Sequence, residues 1–540
     1  MKKKLLPALI VTRLIILVVI IMGITALINK YTPTKKTEDL KEYFNISSDD
    51  EVALIVNNEL SDYKAKIIDK KIYVDYKFVH DSLNSRFYWD ANENVLLYTT
   101  ASDIISAAAD SNSYSVTKQT NDFGYPIVKA TSDSALIALD YVKQYSNITF
   151  KSYDDPARIV ITSKWDEIDS ATVSKPTQVR VKGGIKSPIL KEVKKDDKIT
   201  ILDSGDKWDK VATEDGVIGY IKRKALSESK KTKLTNPDYE EETFTHIKKD
   251  KDICLAWNQV TSQSANSKVP QVISSTKGIN VMSPTWFYLN DNNGNLADIA
   301  SKDYVSYCHS QGIEVWGLFS NLENTDVDAA YVLTHTSTRT TLINQIMSAA
   351  FNYELDGVNI DFENITEAAY GDSYIEFIRE LSIKCHNNGI SLSVDVTVPA
   401  SFNKFFNRSD MAKFADYIVI MGYDEHYKGS DAGSVSSIPW VTEGVESTLK
   451  EVPADQIILG MPFYTRIWEL TPKEDDDAVT DTEDQSKYTV ASQVYSMDAA
   501  AAQLATNNAT AALDEKSGQN YAEWSASNKL YKVGSRTVHL

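Results

Sequence analysis

From residue 249 onward, short apolar runs rich in β-branched and aromatic residues alternate with segments whose apolar residues recur at helical spacing. This alternation is typical of parallel α/β folds, because each strand is followed by a helix that covers the sheet. The predicted helices include residues 299–311, 339–353 and 374–387. The predicted strands comprise residues 252–260, 278–289, 314–321, 355–363, 390–399, 417–423 and 457–468. Seven such strands predict a (β/α)8 TIM barrel over residues 245–540, in which no eighth strand is recognised.

After the seventh strand, the pattern predicts an α+β insertion near residues 469–534, with an Ala-rich helix that begins at Ser496. An eighth strand with its flanking helices would need about 40 further residues. Since the sequence ends at Leu540, we expect the barrel to be C-terminally truncated and open at a sheet edge. The acidic stretch 474–484 lacks the spacing of a calcium loop and is predicted to be a solvated loop.

The N-terminal half contains two smaller patterns. Residues 49–165 repeat one unit, in which a helical stretch, a strand, an acidic turn and a second strand follow each other twice. A small α/β repeat domain is therefore predicted. Residues 173–230 consist of short strands divided by Gly and Asp turns, which predicts a small β-barrel.

The first residues determine the expected location of the chain. Lys2, Lys3 and Lys4 precede an apolar stretch over residues 5–28, and this order keeps the N-terminus inside and exports the rest. Residues 1–30 are therefore predicted to be a transmembrane anchor or signal, followed by a linker over 31–48. An uncleaved anchor in the cell membrane is favoured, with the rest of the chain extracellular. A cleaved signal peptide ending near Ala26 is the alternative, and the chain would then be secreted.

Composition excludes several classes of function. A net charge of −18 argues against a nucleic-acid-binding protein. The three cysteines predict neither a disulfide framework nor a zinc site, and we expect no metal and no cofactor. His309 and His386 fall on predicted helices, where the pattern gives them no partner. By contrast, residues 175–234 contain 16 Lys and Arg against 9 Asp and Glu. This excess favours binding to anionic polymers, although a solvated surface without a ligand explains the charge equally well.

Two carboxylates dominate the chemistry that the sequence offers. On a strand over residues 355–363, Asp361 and Glu363 lie on the same face as Asn359, whereas Val358, Ile360 and Phe362 point toward the helices. Barrel enzymes keep their chemistry at the carboxyl ends of strands. Two carboxylates close together favour protonation of one of them, which can then act as an acid. The alternative is that both acids merely end a strand.

Three motifs together resemble the family 18 glycoside hydrolases, the chitinase-like barrels. Asp356-Gly-Val-Asn359-Ile-Asp361-Phe-Glu363 resembles their DxxDxDxE signature. Met421-Gly-Tyr-Asp424 and Gly460-Met-Pro-Phe-Tyr464-Thr-Arg466 follow in the expected order. Within the family, the chain is most similar to bacterial cell-wall and spore-envelope N-acetylglucosaminidases. The accessory patterns resemble bacterial SH3-like domains, through Gly205-Asp-Lys-Trp208, and the small domain named after the N-terminal part of copper amine oxidases.

The resemblance implies a role for each matching residue. Glu363 would protonate the leaving oxygen, Asp361 would orient the substrate's 2-acetamido group, and Tyr423 would hydrogen-bond that group. This chemistry retains the anomeric configuration and needs no metal. Asn359 departs from the pattern, because the family has an Asp there that shares a proton with the middle Asp. The residues of these motifs expected to bind substrate are Asp356, Asn359, Met421, Asp424, Tyr464 and Arg466. Trp286, at the end of the second strand, is expected to stack on a sugar ring, and a place in the core is the equally weighted alternative.

Together these features predict a membrane-anchored extracellular glycoside hydrolase. Its expected substrate is a β-1,4-linked N-acetylglucosamine glycan, with peptidoglycan preferred over chitin, because a tethered enzyme reaches little beyond its own wall. The SH3-like domain is expected to contact anionic wall polymers. The alternative is a catalytically weak or inactive protein that binds carbohydrate or cell wall. The missing eighth strand favours this alternative, whereas the presence of Glu363 favours an enzyme.

Overall fold

The computed structural model describes residues 5–363, 365, 370–473, 485–526 and 529–535. The acidic stretch 474–484 and the final residues 536–540 lie outside them. The chain divides into two compact units. The first comprises Met1–Phe87, Ala107–Tyr114 and Asp122–Glu241, and the second comprises Tyr88–Ser106, Ser115–Asn121 and Glu242–Leu540.

A long apolar helix, Leu5–Tyr31, begins the first unit. Its segment Ile10–Tyr31 is long and apolar enough to cross a membrane, and its side chains are not buried against other parts of the chain. A helix of this kind near an N-terminus serves either as a signal anchor or as a signal peptide.

Two seven-stranded sheets form the body of the first unit. Strand Glu51–Val56 lies inside one sheet and pairs in parallel with Arg158–Thr162. The helices of this unit that follow are Leu40–Tyr43, Tyr76–Ser82 and Leu139–Gln144. The first sheet runs in the order Thr149–Tyr153, Arg158–Thr162, Glu51–Val56, Glu59–Ile68, Lys71–Asp75, Ala135–Ala138 and Val128–Ala130. The second runs in the order Ile189–Val193, Thr177–Arg180, Ile218–Lys222, Trp208–Thr213, Lys198–Asp203, Glu167–Thr172 and Lys230–Lys233. Both regions are sheet-rich, and the likeness to SH3-like and amine-oxidase-like domains stays a prediction.

A third sheet contains five strands in chain order. These are Phe87–Asp90, Val95–Thr99, Ile104–Ala108, Ser113–Val116 and Gln119–Asp122.

The second unit is built on a parallel α/β sheet of TIM-barrel type. Each of its seven parallel strands overlaps a predicted strand. They are β1 (Leu255–Asn258), β2 (Val281–Leu289), β3 (Glu314–Ser320), β4 (Gly357–Asp361), β5 (Ser391–Thr397), β6 (Tyr417–Met421) and β7 (Ile457–Gly460), and Leu296–Asp298 pairs antiparallel with β2. Within the described part of the chain, no further strand joins β7 to β1.

Helices cover the outer side of this sheet. Val358, Ile360 and Phe362 of the β4 segment are fully buried among helix side chains such as Leu342 and Phe377, so the predicted facing of β4 is confirmed. The helices are Val269–Ser274, Lys302–Ser310, Ala329–Thr334, Thr336–Tyr353, Gly371–His386, Arg408–Phe414 and Ile438–Thr448.

The predicted seventh strand is divided in the structure. β7 ends at Gly460, and a new strand, Tyr464–Pro472, begins a five-stranded antiparallel sheet. Ser496 caps the helix Met497–Thr506 by accepting a hydrogen bond from the Ala499 amide, as the sequence predicts. The sheet runs in the order Tyr488–Ser496, Tyr464–Pro472, Lys529–Ser535, Gln519–Ala526 and Ala512–Asp514.

Residues 88–99 belong to the second unit because of buried polar contacts with its outer helices. The Tyr88 hydroxyl lies 2.9 Å from the Ser373 hydroxyl, and the Thr99 hydroxyl donates to Glu376 over 2.7 Å. The Asp90 carboxylate accepts from both the amide and the hydroxyl of Thr336, at the start of helix Thr336–Tyr353. A segment far from the barrel in sequence therefore caps one of its helices.

We predict that Asp90→Ala lowers the free energy of unfolding of the second unit by about 1–2 kcal/mol. The substitution leaves the Thr336 amide without its cap, and loss of a helix cap costs about that much. Chemical denaturation followed by circular dichroism measures the change. Asp326→Ala, at an exposed position before helix Ala329–Thr334, is the control and should change the stability by less than about 0.5 kcal/mol. Equal effects of the two substitutions would contradict the capping role.

Candidate active site

The carboxyl end of β4 carries three polar side chains on its inward face. Asn359 is fully buried, Asp361 follows at the last position of the strand, and Glu363 is exposed just beyond it. The alternation of a strand places all three on one side, because the apolar residues between them pack against the helices. Asn359 thus lies in the core of the barrel, and Glu363, further along the same face, lies at its surface.

Asn359 is held by four hydrogen bonds. Its Oδ1 accepts from Trp257 Nε1 and from Ser283 Oγ, each over 3.0 Å. Its Nδ2 donates to Ser393 Oγ over 3.0 Å and to Asp395 Oδ1 over 2.7 Å. An ionised carboxylate in this place could not donate to Asp395. The amide that departs from the family pattern is therefore matched to its surroundings.

Asp361 is a carboxyl group in an unfavourable place for charge. Its Oδ1 is buried and has no hydrogen-bond partner among the described residues. Burial first, and then the charges of Glu363 and Glu323, raise the pKa of Asp361 to about 8. Near neutral pH this group is therefore mainly protonated.

Glu363 lies where a substrate can reach it. Its amide donates to Asn321 Oδ1 over 3.0 Å, which fixes the chain just beyond β4. Desolvation by the surrounding protein, and then the charges of Asp424 and Glu323, raise the pKa of Glu363. A carboxyl with a raised pKa at an accessible position is suited to general acid catalysis.

Residues after β6 and β7 form the opposite wall. The Tyr423 ring lies edge-on to Trp257 and to Tyr464, at centroid distances of 6.2 and 6.1 Å. The Tyr464 hydroxyl donates to Asp424 Oδ1 over 2.7 Å, and Arg466 Nη2 lies 3.4 Å from the same oxygen. Burial raises the pKa of Tyr423, so its hydroxyl remains a hydrogen-bond donor. The sixth- and seventh-strand motifs therefore meet in one cluster.

A cavity of about 160 Å³ opens beside Glu363. Met421 lies in its wall together with Asp395 and Thr397. Phe402, 79% exposed, stands at its edge, and Phe463 beyond β7 is 60% exposed. The exposed aromatic face of Phe402, in the same cavity as Glu363 and Asp395, is suited to binding a sugar ring, which has both apolar faces and hydroxyl groups.

Two residues expected to bind substrate lie outside this cluster. Asp356, at the amino end of β4, accepts from the Val315 amide over 2.8 Å and lies 2.8 Å from His309 Nε2. Trp286 is fully buried among the outer helices, and its Nε1 donates to Asn266 Oδ1 over 2.7 Å.

The expectation that the two helix histidines have no partner was wrong. His309 pairs with Asp356, and His386 lies 3.0 Å from Asp416 Oδ1. Both contacts are to acidic residues distant in sequence, which helical position alone does not reveal.

Sequence reasoning missed Asp395, Trp257 and Glu323. Asp395 had a signal, because it stands with Ser391, Ser393 and Thr397 at alternate positions of a strand whose other positions are apolar. Polar residues at the inward positions of a buried strand mark a polar site.

Among the described residues there is no group of three or more His, Cys, Asp or Glu side chains able to hold a metal ion.

Comparison with known proteins agrees with this geometry. Residues 322–532 match the model of the family described as Glycosyl hydrolases family 18. The chain is 25% identical to the uncharacterized glycosylase YvbX of Bacillus subtilis over 194 residues, which are 33% of this chain and 55% of the relative. It is 26% identical to the cortical fragment-lytic enzyme of Bacillus subtilis, covering 33% of this chain and 43% of the relative. For chitinase 1 of Aphanocladium album the identity is 25%, covering 25% of this chain and 37% of the relative. The chain thus spans about half or less of the length of these relatives.

We predict that Asp361→Asn stabilises the protein, and increasingly so as the pH rises. Between the pKa of an unfolded Asp, about 4, and that of folded Asp361, about 8, the native state holds a proton that the unfolded state has lost. The stability of the wild type therefore falls with pH in this window, on the order of 1 kcal/mol per pH unit from this group, and Asn removes the loss.

Calorimetric melting from pH 5 to pH 9 measures this effect. Asp326→Asn, at an exposed position, serves as the control and should follow the wild type at every pH. A constant difference between Asp361→Asn and the wild type over the whole range would contradict the raised pKa.

Proposed function

We propose that this chain, which carries a family 18 glycosyl hydrolase domain over residues 322–532, hydrolyses β-1,4-linked N-acetylglucosamine glycans with retention of configuration. The observation that carries the proposal is the pairing of two unlike carboxyls at the end of β4. Glu363 is accessible, whereas Asp361 keeps a buried oxygen and has a pKa of about 8. The accessible Glu363 is suited to exchanging a proton with a substrate, whereas the buried Asp361 is suited to holding a group of the substrate in place.

The state of Asp361 supports substrate-assisted catalysis. A retaining glycosidase with a carboxylate nucleophile needs that carboxylate ionised and within reach of the anomeric carbon. A buried, mainly protonated Asp361 fits that task poorly. It is suited to donating a hydrogen bond, and the 2-acetamido group of the substrate then serves as the nucleophile, as family 18 enzymes are known to work.

The proposed reaction has two steps. Glu363 transfers its proton to the glycosidic oxygen while the acetamido oxygen forms a bond to the anomeric carbon, so that the bond to the leaving sugar breaks and an oxazolinium ion forms. Asp361 and the Tyr423 hydroxyl orient the acetamido group. Glu363, now ionised, takes a proton from water, which attacks the anomeric carbon and reopens the ring. Asp424, Tyr464 and Arg466 hold the sugar from the opposite wall.

We further propose that peptidoglycan is the preferred glycan and chitin the second. The N-terminal apolar helix supports this order, because an enzyme anchored in the cell membrane with its barrel outside meets its own wall first. The similarity to a cortical fragment-lytic enzyme supports it as well. In this proposal the basic segment 175–234 assists by contacting anionic wall polymers.

Mass spectrometry of purified peptidoglycan digested with the full-length chain tests the proposal. We expect new products with reducing-end N-acetylglucosamine, and we expect Glu363→Gln to lower the rate about 100-fold or more, because loss of a general acid costs 10²–10⁴-fold. Chitin oligosaccharides serve as the second substrate. If the folded wild type releases nothing from either polymer, the chain is instead a protein that binds carbohydrate without cleaving it.

We predict that Glu323→Gln moves the alkaline limb of the kcat/KM profile to lower pH. The Glu323 charge raises the pKa of both Glu363 and Asp361. Without that charge both groups lose their protons at lower pH, so the acid form disappears sooner as pH rises. Assays on a soluble oligosaccharide from pH 4 to pH 9 measure the limb. Glu446→Gln, exposed on helix Ile438–Thr448, should leave it in place. An unmoved limb in Glu323→Gln would contradict this coupling.

A further inference from the structure

A second carboxyl group lies beside Asp361 inside the barrel. β4 and β5 pair in parallel, with Asn359 opposite Ser393 and Ile360 opposite Val394. The next position along the two strands is occupied by Asp361 on β4 and Asp395 on β5. Because side chains alternate, both point to the inward face, as Asn359 and Ser393 do. Two acidic side chains therefore stand side by side at the same level of the sheet.

Each side chain of this pair has one buried oxygen that lacks a hydrogen-bond partner among the described residues. Asp395 is buried, and its Oδ1 accepts from Asn359 Nδ2 over 2.7 Å. Asp395 Oδ2 and Asp361 Oδ1 are both buried without a hydrogen-bond partner among the described residues. Leaving two such oxygens unpaired is costly. One proton held between the two carboxyl groups would satisfy both.

We propose that Asp395 shares one proton with Asp361 and acts as the positioning residue for the acetamido-binding carboxyl. This inference rests on the proposed function. The family pattern provides the partner for the middle Asp from position 359 of the same strand, which here is an amide and cannot ionise. In this chain the neighbouring strand provides it, and Asn359 holds the new partner in place.

The groups around the pair favour a retained proton. Asp361 and Glu363 act on Asp395 from β4 as like charges, whereas Asn359 donates a hydrogen bond to it, and the nearby indole N–H of Trp257 on β1, which donates to Asn359 Oδ1, also favours its charged form. The phenols of Tyr423, after β6, and Tyr374, on helix Gly371–His386, also face Asp395. Burial and the charge of Asp361 raise the pKa of Asp395 well above its usual range.

Sharing a proton gives Asp361 two states during the reaction. In the resting enzyme the proton lies on Asp361 Oδ1, which donates it as a hydrogen bond to Asp395 Oδ2. As the oxazolinium ion forms, the proton moves to Asp395 Oδ2, and the negative charge of the pair moves to Asp361, next to the positive ring. No proton enters or leaves the pair, and the charge is reversed when the ring reopens.

An exchange of the amide and the carboxyl tests the proposal. Asp395→Asn keeps the shape of the side chain, and we expect it to lower kcat about tenfold or more while KM changes less than about twofold. The double variant Asn359→Asp/Asp395→Asn returns one carboxyl to the neighbourhood of Asp361, and we expect it to recover most of the lost kcat. Ser391→Ala, at the start of the same strand, is the control and should retain wild-type kcat. Failure of the double variant to recover activity, with all variants folded, would overturn the proposal.

Infrared titration of the full-length protein with carbon-13-labelled aspartate gives a readout that needs no activity. We expect the wild type to show a buried protonated aspartate at neutral pH, and the pH at which its band disappears to fall by about one unit or more in Asp395→Asn, because the like charge beside Asp361 is gone. In the double variant Asn359→Asp/Asp395→Asn, the pH at which the band disappears should rise again. Absence of the band in the wild type, or an unchanged titration in Asp395→Asn, would overturn the sharing of the proton.

The two proposals can fail separately. A wild type that cleaves no glycan but shows the shifted titration would refute the proposed hydrolysis and leave the proton pair standing. An active wild type whose Asp395→Asn variant titrates and turns over normally would refute the pair alone.

Discussion

The Asn359 amide makes four hydrogen bonds inside the barrel, and they reach Trp257 on β1, Ser283 on β2 and both Ser393 and Asp395 on β5. An amide is the only uncharged side-chain group with two donors and two acceptor sites, so it can satisfy four partners without burying a charge. Its bonds tie β4 to the neighbouring strand β5 and to β1 and β2. The position of the Asp395 carboxyl, and so of the acidic group beside Asp361, depends on this one amide.

The cluster built on this amide is unfavourable for stability. Asp361, Asp395 and Glu363 are brought together where burial and the charges of neighbouring acidic groups raise the pKa of each. A protein selected only for stability would place apolar or amide groups there. In the proposed reaction, however, protonation of the glycosidic oxygen needs an acidic group whose pKa is raised. We infer that the rest of the barrel supplies the stability that this cluster removes.

Part of that stability comes from outside the barrel sequence. Tyr88, Asp90 and Thr99 contact the outer helices through buried hydrogen bonds, and Asp90 caps the helix that precedes β4. The unit that holds the active-site cluster is therefore assembled from segments separated by more than a hundred residues. Composition and repeats divide this chain into consecutive domains, because such signals are local. Burial of polar groups against a distant helix has no local signal of this kind.

The alternation along residues 355–363 was enough to place Asp361 and Glu363 on one face and Val358, Ile360 and Phe362 on the other, since a strand has a period of two whatever surrounds it. The predicted strands and helices of the barrel overlap those of the structure, except that the predicted seventh strand ends at Gly460 and a strand of another sheet follows it. Only the tertiary structure decided that Asp395 stands beside Asp361, that Trp286 is buried among helices and that Asp356 pairs with His309. These contacts depend on which strands are neighbours and in what register they pair, and the side-chain pattern of a single segment carries no information about either.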